Sequence, residues 1–354
     1  MKILHCADLH LDSRLSAHLP REKARERRDE LLVTFTRMAD YADGCGAAAV
    51  LIAGDLFDTR HVSPRTRNVV LSAFRAHPEI AFFYLRGNHD RDDLLEGPEA
   101  PPENLYLFGE KWRSYPLGET AGGRAVTVTG AEPGGEDPRG LYDALDLRPE
   151  DVNIVLLHGQ AAERAAAPGE EIVPLPALRG KHIDYLALGH IHRYHAAPLD
   201  DRGRYCSPGC LEGRGFDECG PRGFVLLDLD GERGTFTETF VPFACRTLHE
   251  VEADVTGCGT TGEMEAAVRA RLSEEGIPPE DMVKIVLTGR VEPDCEKDPV
   301  FLTARFSREY YFAKVTDRTE PGIDWSRCQG DASLKGEFIR AAATEELRRR
   351  SGRR

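Results

Sequence analysis

Short apolar runs recur along the first two-thirds of the chain, and most of them stop at a polar cluster. Residues 2–7 read as a strand that runs into Asp8-Leu9-His10. Residues 21–43 then place Leu31, Leu32, Phe35, Met38, Ala39 and Ala42 on one face at helical spacing. A strand at 48–53 follows, then a helix opened by Ser63 as N-cap with Pro64 in its first position, then a strand at 80–85. The order is βαβαβ, which predicts a parallel sheet.

Residues 97–123 are richer in Pro and Gly and are predicted to loop across the surface before a strand at 124–130. Strands at 153–157 and 183–188 run into His158-Gly159 and Gly189-His190-Ile191-His192. Ligands of open α/β sheets bind outside the carboxyl ends of strands, so five strand-end clusters at one edge predict a single site. Residues 223–230 and 235–243 form an antiparallel hairpin through Asp230-Gly231. The expected division is a catalytic domain over 1–245, an α+β cap over 246–320, and a C-terminal helix with an arginine-rich tail over 321–354. In the cap, 248–254, 282–291 and 310–316 read as strands and 263–273 as a helix; a final helix is expected over 334–350.

With 41% apolar and 30% charged residues, the composition is that of a globular protein and excludes fibrous and disordered classes. The start, MKILHCADLHLD, has neither the basic opening nor the apolar run of a secretory signal, and no run reaches the length of a membrane span. A cytoplasmic chain with no membrane partner is expected. Nine scattered cysteines then read as free thiols. Cys206, Cys210 and Cys219 lie close together but lack the paired spacing of a zinc knot.

Read in order, the polar clusters are Asp8-x-His10, Gly54-Asp55-x-x-Asp58, Gly87-Asn88-His89-Asp90, His158-Gly159 and Gly189-His190-x-His192. Carboxylate, imidazole and amide side chains together suit two borderline divalent ions, Mn²⁺ first and Fe²⁺ or Zn²⁺ next, better than an all-oxygen Mg²⁺ site. A bridging carboxylate holds such ions about 3.5–4 Å apart, where one polarises a phosphate and a bridging hydroxide attacks phosphorus in line. Asp55 is the candidate bridge. Gly54, Gly87 and Gly189 stand where the backbone is expected to turn sharply past each strand.

The series DLH, GDLFD, GNHD, LLHG and GHIH resembles the five phosphoesterase motifs of the SbcD nuclease family and its YhaO-like relatives, which are calcineurin-like metallophosphoesterases. The opening HCADLHLDS and the segment EGRGFDECGPRGF extend the likeness, which covers the catalytic region well and the cap loosely. It implies an α/β fold, a sandwich of mixed β-sheets flanked by helices. It also implies that Asp8, His10, Asp55 and His192 hold the first metal and Asp55, Asn88, His158 and His190 the second. His89 then approaches the scissile phosphate as an acid or a charge stabiliser. Many members have a histidine where this chain has Asp58. Two readings of Asp58 stand: it orients His89, or it caps a helix.

Arg14, His61 and Arg193 flank these motifs as candidate phosphate contacts, and Tyr194 and His195 are placed to stack on a base. His5, inside the first strand, reads as structural. The resemblance implies DNA as substrate, a nuclease role in DNA repair, and a coiled-coil ATPase partner of the SbcC or YhaN type. It also suggests a homodimer through the helix at 21–43. Charge runs against DNA: the chain carries −14, and 246–320 holds ten Lys and Arg against sixteen Asp and Glu. The terminal helix, with Leu334, Phe338, Ile339 and Ala342 on one side, is a candidate docking element, and its arginines a candidate DNA contact. Two rival readings remain, a phosphoesterase acting on small molecules and a noncatalytic scaffold; the second is disfavoured because no motif residue is missing.

Overall fold

The computed structural model describes residues 1–15, 19–58, 62–90, 100–132, 138–165, 167, 169–292, 294–322, 333, 336, 337 and 341. It separates into two compact units, Met1–Thr247 and Leu248–Arg354. Among the described residues no helix is long and apolar enough to cross a membrane.

In the first unit, β1 (Lys2–Cys6), α1 (Arg21–Gly44), β2 (Ala47–Ala53), α2 (Pro64–Ala76) and β3 (Ala81–Leu85) follow the expected alternation. After them come β4 (Leu105–Leu107), β5 (Arg113–Glu119), β6 (Ala125–Gly130), α3 (Pro138–Asp143), β7 (Val152–His158), β8 (Gln160–Ala162) and β9 (Ile172–Pro174). The unit closes with α4 (Leu175–Leu178), β10 (Tyr185–Gly189), β11 (His195–Pro198), β12 (Arg204–Ser207), β13 (Gly223–Leu229) and β14 (Phe236–Pro242). Two six-stranded sheets result, ordered β14-β13-β1-β2-β3-β4 and β11-β12-β10-β7-β6-β5. The strands β1 to β4 run parallel, with the β13–β14 hairpin added antiparallel beside β1.

The facing sides of the sheets share one core, with Ile3, Leu51 and Phe83 from the first sheet and Val128, Ile154 and Leu156 from the second. The outer face of the second sheet buries Val155, Leu157, Leu186 and Leu188 against Tyr142, Leu175 and Leu178. Strands covered on both faces explain why 153–157 and 183–188 read as continuous apolar runs rather than alternating ones. On the first sheet, Phe74 of α2 packs 4.5 Å from Phe82, ring centre to ring centre, and α1 buries all six of its predicted apolar positions. Ser63 caps α2, accepting from the Thr66 amide.

Three features differ from expectation. The stretch predicted as a surface loop carries β4 and β5; β5 is an edge strand whose Pro116 and Gly118 break its register with β6, so its pattern is not that of a core strand. The five clusters are shared between sheets: β1, β2 and β3 present three, and β7 and β10 of the other sheet present two. In the second unit, 282–291 is split by Gly289 (φ 96°), where an added Cβ would meet the Asp254 carboxylate at 2.2 Å.

That second unit has β15 (Leu248–Asp254), α5 (Thr261–Glu275), β16 (Met282–Thr288), β17 (Arg290–Val291), α6 (Pro299–Phe306), β18 (Phe312–Asp317) and β19 (Glu320–Pro321). Its parallel sheet β15-β16-β18 packs Val251, Val283 and Ile285 with Met264, Val268 and Leu272 of α5 and Leu302 and Phe306 of α6. A reciprocal cap between Thr260 and Glu263 starts α5, and Gly276 (φ 63°) ends it. Residues Leu334, Phe338, Ile339 and Ala342 of the expected terminal helix, and its arginine tail, lie outside the described residues.

Candidate metal centre

The loops past the strand ends adopt a backbone conformation that side-chain-bearing residues rarely take. Asp8 (φ 52°), His10 (φ 47°), Asp55 (φ 51°) and His190 (φ 86°) are all left-handed. Each such residue costs roughly 1–2 kcal/mol, and strain of this kind gathers where function requires it. The loops brace one another. The Asp8 amide donates to Gly54 O (3.1 Å) and the His10 amide to Asp55 O (2.9 Å). Asp8 Oδ1 accepts from the His190 amide (2.8 Å), and Asp55 Oδ1 from the His89 amide (2.9 Å). Buried Asp90 gathers the amides of Leu56, Phe57 and Gly87.

Only one of the three glycines supplies a turn. Gly54 is left-handed (φ 92°), whereas Gly87 and Gly189 are needed because other groups pass close. An added Cβ would lie 2.2 Å from Asp55 Oδ1 at Gly87 and 1.9 Å from Ala53 O at Gly189. The sharp turn predicted at Gly189 is made instead by His190, whereas none of the residues from Gly87 to Asp90 is left-handed.

Three groups of side chains each bring one ligand-type atom per residue within 4.8 Å of the others: Asp8, His10 and His192; Asp8, Asp55 and His158; His10, Asp58 and His89. His10 Nε2 and His192 Nε2 are 3.1 Å apart, and His158 Nε2 lies 3.0 Å from Asn88 Oδ1. Asp55 Oδ2 stands between them, 3.8 Å from His10 Nε2 and 3.4 Å from His158 Nε2. His190 sits at the margin, its ring centre 5.4 Å from that of His158 and its Nδ1 3.4 Å from Glu171 Oε2.

Two observations fit this cluster to bound cations. Asp8 Oδ2 is buried with no hydrogen-bond partner, a costly arrangement unless something else neutralises the site, and His10 Nδ1 faces Asp58 Oδ1 at 3.7 Å so that its Nε2 is turned to the cluster. His192 Nδ1 faces Glu218 Oε1 at 2.7 Å, with Arg214 Nη2 3.3 Å away, and a proton on Nδ1 leaves the Nε2 lone pair to the cluster. Burial and charge pairing divide the cluster. Burial pushes the Asp8 carboxyl up to about 6 and pulls the His10 imidazole down to about 4. At Asp55 burial also works against charge, but His158 and His10 outweigh it and hold the carboxyl low, while Asp55 in turn raises His158.

Asp58 Oδ1 lies 3.0 Å from Nδ1 of the half-exposed His89. Its other oxygen accepts from Ser13 Oγ (2.7 Å) and lies 3.4 Å from Arg214 Nη1. Burial opposes its charge, yet His10, Ser13 and Arg214 hold Asp58 well below the usual carboxylate range. Ser63, not Asp58, caps the following helix.

The flanking residues are placed less tellingly. Arg14 and Arg193 are exposed on the loops after β1 and β10, and His61 lies outside the described residues. Tyr194, 40% exposed, lies tilted against Phe240 with ring centres 4.8 Å apart, and His195 opens β11 beside Tyr205. His5 is fully buried with Nδ1 2.9 Å from the Tyr185 hydroxyl, as a structural histidine should be. Sequence reasoning assigned no role to Glu218, Arg214, Asp90 or Glu171. The first two lie in the EGRGFDECGPRGF segment, where a glycine-rich loop offers no periodicity to place them.

The profile described as calcineurin-like phosphoesterase matches residues 1–194. The chain is 27% identical over 241 residues to the uncharacterized metallophosphoesterase YhaO of Bacillus subtilis, covering 65% of this chain and 57% of that protein's length. It is 26% identical over 322 residues to the DNA double-strand break repair protein Mre11 of Methanopyrus kandleri, covering 81% of this chain and 68% of the relative. Similarity to an SbcCD nuclease subunit from Rhodobacter capsulatus is 26% over 281 residues, 65% of this chain and 67% of the relative.

Proposed function

From the premise that the chain belongs to the calcineurin-like phosphoesterase family, whose members are metallophosphoesterase hydrolases, we propose that it is a two-metal phosphodiesterase that cuts DNA. The observation that carries the reading is the meeting of Asp8, His10, Asp55, His158 and His192 from two sheets around the unpartnered Asp8 Oδ2. Asp8, His10, Asp55 and His192 would hold one ion, and Asp55, Asn88, His158 and His190 the other, with Mn²⁺ the first choice and Fe²⁺, Zn²⁺ or Mg²⁺ after it. Such ions supply charge to a phosphoryl oxygen and acidify an attacking water.

The remaining work falls to the chain's own groups. Asp58 keeps the His89 proton on Nδ1 and fixes the ring, leaving Nε2 free to meet the leaving oxygen once the ring is doubly protonated. His89 is half-exposed and so open to a bound substrate. DNA is preferred because the relatives include proteins named for break repair and a nuclease subunit. The acidic second unit makes a basic partner, of the coiled-coil ATPase kind, part of the same proposal, with the cytoplasm as the setting. That same acidity favours the alternative, a phosphoesterase for small diesters.

Mn²⁺-dependent cleavage of labelled single-stranded and duplex DNA, measured beside a small diester, decides between them. His89→Ala should lower DNA cleavage by about 10²–10⁴-fold with both ions still bound. Hydrolysis of the small diester with no DNA cutting, even with a coiled-coil ATPase added, would overturn the nuclease reading.

A further inference from the structure

We infer that Glu218 and Arg214 are positioning residues: Glu218 sets the tautomer and angle of His192, and Arg214 ties that setting to the Asp58–His89 pair. Glu218 Oε1 accepts from His192 Nδ1 (2.7 Å) and from Arg214 Nη2 (3.0 Å), while its Oε2 accepts from the Arg214 amide (2.7 Å). Arg214 Nη1 reaches Asp58 Oδ2 at 3.4 Å, and Asp58 in turn holds His89. One continuous set of charge-assisted contacts therefore runs from a candidate ligand to the candidate acid. Carboxylates that grip the outer nitrogen of a ligand histidine fix its orientation and raise its basicity.

The loop carrying both residues is built to hold still. Its Glu212, 1% exposed, accepts from Arg27 of α1 (2.9 Å) and from Thr34, and Gly213 O accepts from the same arginine (2.9 Å). Gly209 (φ 80°) lets the chain pass within van der Waals reach of His192; an added Cβ would sit 3.0 Å from His192 O. Arg222 donates to His192 O and to Cys219 O. Glu218 itself is 5% exposed, so its charge is spent on these neighbours and not on solvent.

The inference rests on the reading of His192 as a ligand, and the test separates the two. Mn²⁺ titrations of wild type, Glu218→Ala and Glu218→Gln should show two ions in wild type, a 10–100-fold weaker ion in the alanine variant, and partial recovery with glutamine, which keeps an acceptor. In ¹⁵N-histidine-labelled, metal-free wild type, held where His192 is neutral, the imidazole should carry its proton on Nδ1. Arg214→Leu should lower kcat with KM unchanged and weaken Mn²⁺ binding less than Glu218→Ala does; an unchanged kcat would remove Arg214 from the inference. Equal affinities in wild type and Glu218→Ala, or a wild-type proton on Nε2, would overturn the inference. Fewer than two ions in wild type would sink the two-metal reading instead. Should Glu218→Ala not fold, the wild-type tautomer and the glutamine variant still decide.

Discussion

The two halves of the centre are built differently. Asp8 and His10 are 1% and 0% exposed, and with His192 they form a half backed by Glu218, Arg214 and Asp58. Across Asp55, the half containing Asn88, His158 and His190 is open at Asn88, which is exposed; His158 is buried, and His190 (26%) is no more exposed than His192 (31%). A cavity of about 210 Å³ beside it is lined by Arg86, Asn88, Glu132, His158 and Glu171. A buried half with fixed partners is arranged before any cation arrives, whereas an open half leaves room for a substrate oxygen to join the ligands. On this comparison the first half should bind its ion more tightly, and the second should exchange.

The largest test removes the side chain the halves share. Asp55→Ala should lower phosphodiester hydrolysis by about 10³-fold or more, since several kcal/mol of charge stabilisation depend on both ions. Mn²⁺ stoichiometry should fall below two. Retention of two ions at wild-type affinity would show that Asp55 is no bridge, and the halves would then be separate sites.

Gly189→Ala tests how closely the halves must approach. Its Cβ would meet Ala53 O at 1.9 Å and His158 Nδ1 at 2.7 Å, pushing the open half away from β2. A cost of about 3 kcal/mol, read as a fall in Tm of roughly 6–12 °C, is expected. Gly44→Ala, where nothing lies within 4 Å, is the control and should leave Tm unchanged or raise it slightly, since alanine suits a helix better than glycine.

The unequal construction was only partly visible in the sequence. Strand ends and short motifs are local signals, so Asp8, His10, Asp55, Asn88, His158, His190 and His192 could be named as candidate ligands by resemblance, and the start of α2 at Ser63 and Pro64 was legible with them. What could not be read is non-local. That β7 and β10 belong to a second sheet depends on pairings across the sandwich, and β5 hides as an edge strand behind Pro116 and Gly118. Glu218 reaches His192 from 26 positions away in a loop whose residues carry no period. The strained φ values at Asp8 and His190 likewise belong to the assembled loops and not to any residue type.

The strands under the first half offer a pH test. Burial pulls the His5 imidazole down to about 3, against an ordinary value of 6.5, so the unfolded chain takes a proton that the folded one refuses. Stability tied to this neutral ring is therefore complete above pH 6.5 and declines as pH falls toward 3. Between pH 6.5 and 5 the loss is about 2 kcal/mol. Denaturant titrations of metal-free protein should show His5→Leu free of that part of the acid slope. Parallel slopes for the two proteins would mean that the strands carrying Asp8 and His10 are pinned without His5.

The smallest effect is expected at the outer nitrogen of His190, and it measures the asymmetry directly. Glu171 Oε2 stands 3.4 Å from His190 Nδ1, beyond a good hydrogen bond, and its side chain is 44% exposed, against 7% for Glu218 beside His192. A contact in that setting contributes roughly 0–1 kcal/mol, because water screens it and competes for the imidazole. Glu171→Gln should therefore weaken Mn²⁺ binding by no more than about fivefold, well short of the loss from Glu218→Ala. If the two variants lose affinity equally, exposure does not grade the support of the two histidines, and the open half is as firmly arranged as the buried one.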